Sequence, residues 1–198
     1  ACLNNDIKPI IGMEVKTNQD NFILIAKNNN GYRNLIKIAT IVSDREITFD
    51  DLKIYSKDII LIMPYSYYNE KITNFFDEYY IGYTSVEERD KVKDKGVLIT
   101  DISYIEKNDY KYLDYLLMIK DDKKLGEMEL NTYTGKHLLD KEEFNNLTND
   151  IVRSNMKYIC DECNVTFEKR DGLLPIYNKD VDSFEYLNSL CNKGLNRR

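Results

Sequence analysis

Two β-rich apolar runs followed at once by a helical period, all within residues 7–39, constrain this chain more than any other feature. Pro9 to Val15 and Phe22 to Lys27 are bounded by polar residues and read as buried strands. Asn28 to Gly31 break the run, and Tyr32, Leu35, Ile36 and Ala39 then recur at the spacing of one helix face. The alternation continues downstream. Asp58 to Met63, Tyr79 to Tyr83 and Val97 to Thr100 read as further strands. Between them, Glu70 to Tyr79 sets Ile72, Phe75, Phe76 and Tyr79 at helical spacing, and Ser85 with Glu87 and Glu88 opens a short helix ending near Gly96. Strands alternating with helices predict an α/β fold with a mostly parallel sheet or barrel.

From Asn108 the pattern becomes helical, with Tyr112, Leu113, Leu116 and Leu117 as the expected apolar face of the first helix. Residues 120–137 are polar and turn-rich. Asp140 with Glu142 and Glu143 opens a capped helix, and Leu147, Ile151, Tyr158 and Ile159 continue a helical face up to Cys163. A last helix runs from Asp182 to Asn196, set apart by a loop around Pro175.

The 198 residues are 42% apolar, enough for a core without crosslinks. Four cysteines then read as reduced thiols of a cytoplasmic protein. Cys160 and Cys163 form a CxxC with no second pair, so both are expected in the core. The net charge of −6 argues against a stand-alone electrostatic binder of nucleic acid. No apolar stretch reaches the roughly 18 residues of a membrane span, so no membrane partner is expected. His137 is the only histidine, which excludes any site within the chain that needs two; it is expected on the surface or in a loop. Asn28 to Gly31 lack both a GxGxxG and a Walker lysine, so they read as a plain strand-to-helix turn.

The segment IKPIIGMEV followed by LIAKNNNGYRNLIKIA closely resembles the PHP domain of the bacterial DNA polymerase III alpha subunits, the C-family replicative polymerases. The likeness is collinear. GVLITDISYIEKNDYKYLDYLLMIKDDKKL (96–125), KHLLDKEEFNNL (136–147), IVRSNMKYICDECNVTFE (151–168), GLLPIY (172–177) and FEYLNSLCNKGLNRR (184–198) follow in the family's order, with residues 44–95 the weakest part. The resemblance implies part of a PHP-type distorted (βα) barrel with mostly parallel strands, over residues 1–135. Residues 136–198 would form the helical part leading toward the polymerase palm. It also implies a chain that starts after the family's histidine-rich first strand and stops before the palm. A barrel opened in that way exposes a strand edge, so self-association or a locally disordered N-terminus is expected.

PHP domains that hydrolyse phosphoesters hold two or three metals in a cluster of histidines and carboxylates. Carried over, Glu14 and Asp101 fall on family ligands, whereas Ser103, Asn21 and Tyr65 stand where the family has two histidines and a cysteine or histidine. The resemblance therefore implies a degenerate metal site with Glu14 and Asp101 as remnants and no catalytic residue. No cofactor is expected here; Mn2+ or Zn2+ would bind only if the site survives, and Mg2+ belongs to the palm of the parent polymerase. Three readings follow. The first is a structural and interdomain module whose partners are the remaining polymerase domains, replisome subunits and, through the parent, DNA. The second is a metal-dependent phosphoesterase acting as a 3′–5′ exonuclease or pyrophosphatase, and the third is a non-catalytic protein-interaction scaffold.

Overall fold

In the computed structural model, residues 2–17, 19–124, 127, 134–167 and 180–197 are described. The GLLPIY match and the loop around Pro175 lie outside them, as do residues 125, 126 and 128–133 of the turn-rich stretch. Two compact units are present, Ala1–Thr166 and Phe167–Arg198.

The first unit is an α/β layer structure of the expected class. Five strands, β1 (Gly12–Lys16), β2 (Asn21–Ala26), β3 (Ile59–Pro64), β4 (Glu78–Tyr83) and β5 (Gly96–Leu98), lie side by side in chain order. β1 and β2 form an antiparallel hairpin, and β2 pairs antiparallel with β3. The hairpin is closed by Thr17, whose N–H donates to the Asp20 carbonyl at 2.8 Å while its Oγ1 accepts from the Asp20 N–H at 2.9 Å. β3, β4 and β5 are parallel, joined by crossover segments. These carry α3 (Glu70–Thr73) and α4 (Val86–Val92), after α1 (Asn29–Asp44) and α2 (Phe49–Tyr55) have linked β2 to β3.

β3 explains why its sequence reads as a continuous apolar run, for it is buried on both faces. Ile59, Leu61 and Met63 pack with Leu24, Ala26, Leu35, Ile38, Leu52 and Ile72, which brings α1, α2 and α3 onto one side. Ile60 and Ile62 join Tyr80, Val97, Ile159 and Cys163, which brings α7 (Asp150–Glu162) onto the other. Lys27, just past β2, ion-pairs with Glu78 of β4 and with Glu162 of α7 and so ties that second layer to the sheet.

Several boundaries differ from the sequence reading. The helix expected over Glu70 to Tyr79 stops at Thr73, because Glu78 and Tyr79 are drawn into β4 opposite Ile60 and Leu61. α2 carries no strong period and is missed by it. Its signal is a capping box, in which Thr48 accepts from Asp51 N–H and the Asp51 carboxylate accepts from Thr48 N–H, reinforced by a two-pronged Arg45–Asp51 pair at 2.7 and 2.8 Å. α5 (Tyr110–Lys120) buries Asp114 and Met118, leaving Tyr112 and Leu116 exposed, so its packed face is rotated from the one expected. The helical face expected through to Cys163 is broken into α6 (Lys141–Leu147) and α7, since Asn149 caps α7 by accepting from Val152 N–H. α6 and α7 belong to the first unit.

Cys163 lies in the core and burial pushes its thiol up to about 11, whereas Cys160, one turn earlier on α7, faces solvent. The second unit contains α8 (Ser183–Leu195), within the range its sequence predicts for a last helix, with Asp182 as its N-cap. Among the described residues no helix is long and apolar enough to cross a membrane.

Candidate metal centre

Register decides which side chains of the hairpin meet. Glu14 lies opposite Ile23 and Lys16 opposite Asn21, so these four share one face of the β1–β2 hairpin. That face, together with Pro64 at the end of β3, Thr84 after β4, and Ile99, Thr100 and Asp101 after β5, lines a cleft of about 650 Å³. The cleft thus opens at the C-terminal ends of the parallel strands, where α/β sheets place their sites. Three of the sequence-selected residues, Glu14, Asn21 and Asp101, come together here. Tyr65 and Ser103 are not among the lining residues; Tyr65 follows β3 in a 3-10 turn with the Lys91 ammonium 5.7 Å from its ring centroid.

Both carboxylates already have cationic neighbours. Glu14 pairs with Lys16 at 3.3 Å, and Asp101 pairs with Lys136. Asn21 opens β2 with its Oδ1 buried and unpartnered. Among the described residues no three His, Cys, Asp or Glu side chains converge.

Lys136 reaches Asp101 because the chain after β5 is stitched to residues 136–138. The Ser103 N–H donates to the Lys136 carbonyl at 2.8 Å, the Lys136 N–H donates to Tyr104 Oη at 3.1 Å, and the Leu138 N–H donates to the Tyr104 carbonyl at 3.0 Å. Tyr104 and His137 form a single parallel bridge. His137 lies between helices and strands, as a loop residue would, but it is buried and not on the surface, with Nε2 2.9 Å and 3.1 Å from the two oxygens of Glu143 on α6. Glu143 also accepts from Lys107 at 2.9 Å and completes the α6 capping box with Asp140.

First the Lys107 ammonium and then His137 hold the Glu143 carboxyl down at about 2. A depressed carboxylate contributes its stability fully above its ordinary value near 4.5 and loses it as the pH falls toward 2. Melting temperatures of the natural chain and Glu143→Gln, measured from pH 6 to pH 2.5, are therefore expected to converge as the pH falls. A gap between them that stays constant over that range would contradict this.

The PHP domain model matches residues 1–159, and the chain belongs to the PHP domain family. Its relatives include the DNA polymerase III subunit alpha of Ureaplasma parvum serovar 3, 26% identical over 202 residues and covering 98% of this chain and 19% of that protein. The protein of the same name from Staphylococcus aureus strain Mu50 is 27% identical over 194 residues, covering 92% and 18%. In Halalkalibacterium halodurans the match is 36% over 76 residues, a third of this chain. The chain spans about a fifth of the length of the first two relatives.

Proposed function

We propose that this chain is the PHP region of a replicative DNA polymerase III alpha subunit in which the PHP metal site has lost its chemistry, leaving a structural and interdomain module. The observation that carries this reading is the donor set of the cleft. A di- or trinuclear cluster needs several imidazoles and carboxylates free to coordinate. Here Glu14 and Asp101 each have a lysine beside them, and Asn21, which by the family likeness takes the place of a histidine, brings an amide to the cleft. The residues present do not suit the family's cluster, so no hydrolytic step is assigned to them. Template-directed synthesis, with Mg2+ held in the palm, belongs in this reading to the parent polymerase.

The interdomain role has separate support. Tyr112, Tyr115, Leu116 and Ile119 of α5 follow i, i+3, i+4, i+7 spacing and are 46–77% exposed, a patch of the kind that marks contact with another protein surface. The expected result of a nuclease assay follows directly. With Mn2+ or Zn2+ added, the purified chain releases no nucleotide from a mismatched 3′ end above the metal-only background. Release that disappears in Asp101→Ala would establish the phosphoesterase reading instead.

A further inference from the structure

Lys136 does more than sit near Asp101. Its backbone N–H and carbonyl are both engaged by the 103–104 turn, and its side chain is only 32% exposed while ion-paired to Asp101. The ammonium is therefore delivered to the carboxylate by a fixed stretch of backbone and does not arrive on a free tether. The same residue's carbonyl holds the Ser103 amide, so Lys136 engages both ends of the Asp101–Ile102–Ser103 segment. On the β1–β2 hairpin Lys16 stands directly across from Asn21 and 3.3 Å from Glu14. Each carboxylate lining the cleft thus has a lysine of the chain beside it, Lys16 among the lining residues and Lys136 reaching Asp101 from outside them.

We propose that Lys136, assisted by Lys16, has taken over the electrostatic and organising role of a metal ion in this cleft, so that the lysines actively exclude a divalent cation. The inference rests on the reading of a degenerate site above and adds a cause to it. Loss of imidazoles weakens binding passively. An ammonium held against the Asp101 carboxylate also repels an incoming dication and keeps its Oδ2 engaged. Lys136 is the principal element because its side chain is 32% exposed against 68% for Lys16 and its backbone is held by the 103–104 turn; the Asp101 carboxylate it meets is itself exposed.

The test is calorimetric titration with MnCl2 of three forms of the chain: natural, Asn21→His, and Asn21→His/Lys16→Met/Lys136→Met, each checked for folding by circular dichroism. The natural chain shows no tight binding, and the triple variant binds Mn2+ at least about tenfold more tightly than Asn21→His alone. Equal behaviour of the two variants, including no binding by either, overturns the lysine inference and leaves the degenerate-site reading standing. Tight binding by the natural chain overturns that reading itself and the lysine inference with it. If the triple variant fails to fold, thermal unfolding of Asp101→Asn, Lys136→Met and their double variant decides. A double variant that loses less melting temperature than the two single losses added together supports the clamp, and strict additivity overturns it.

Discussion

Replacing Gly31 with alanine is expected to destabilise the first unit by about 3 kcal/mol, enough to shift the midpoint of urea unfolding visibly. Gly31 lies inside the first turn of α1, where its N–H donates to the Asn28 side chain. An added Cβ would sit 2.0 Å from the Asp58 carbonyl oxygen and 3.4 Å from Ala26 Cα. Those neighbours are backbone, and the Asp58 carbonyl is also engaged by the Lys27 N–H at 3.0 Å, so it has no freedom to retreat. Alanine would gain about 1 kcal/mol in helix propensity at an unhindered position, well short of the cost of displacing α1 from the sheet. Gly194 of α8 provides the control. A Cβ added there would meet nothing within 4 Å, and Gly194→Ala is expected to cause no loss. A Gly31→Ala chain as stable as the natural one would show that α1 does not pack this closely.

Tyr83 is the second position at which a large effect is expected. It is fully buried at the end of β4, packs with Val92 of α4 and Val152 of α7, and donates its hydroxyl to the Leu147 carbonyl at 2.8 Å. It therefore joins the end of the parallel sheet to the α6–α7 junction. Tyr83→Ala removes a large ring and leaves a cavity, a loss of about 4 kcal/mol in chemical unfolding. Tyr83→Phe keeps the ring but strands the Leu147 carbonyl, a loss of about 1 kcal/mol. If the two variants were equally destabilised, the hydroxyl and not the ring would be holding the junction.

These two residues also show how unevenly the fold is legible in the chain. Tyr83 stands in an apolar run that reads as a strand, so its burial follows from local pattern, although its partner Leu147 does not. Gly31 reads as a turn residue suited to unusual backbone angles. Its place is instead in regular helix, where the approach of residue 58 requires the absence of a side chain. The same limit applies to the cleft. Glu14 and Asp101 stand out through the family likeness, and the hairpin register that sets Lys16 across from Asn21 follows from two strands close in sequence. Nothing local points to Lys136, 35 residues beyond Asp101, or to His137 as a buried partner of Glu143.

Local period, capping residues and apolar runs therefore suffice to determine the α/β class, the principal strands and the helix starts at Ser85 and Asp140, and the likeness of whole segments points to the family to which the chain belongs. These are short-range properties: a side-chain period of two or 3.6 residues, or a polar side chain turned onto the next few amides. What each charged group faces was decided only by the tertiary structure. Coulombic pairing depends on distance in space, and the contacts that set it here, residues 101–104 against 136–138 and α7 against the sheet, close loops whose geometry no local pattern encodes. The two carboxylates that fall on family ligand positions, Glu14 and Asp101, each lie beside a lysine once the chain is folded.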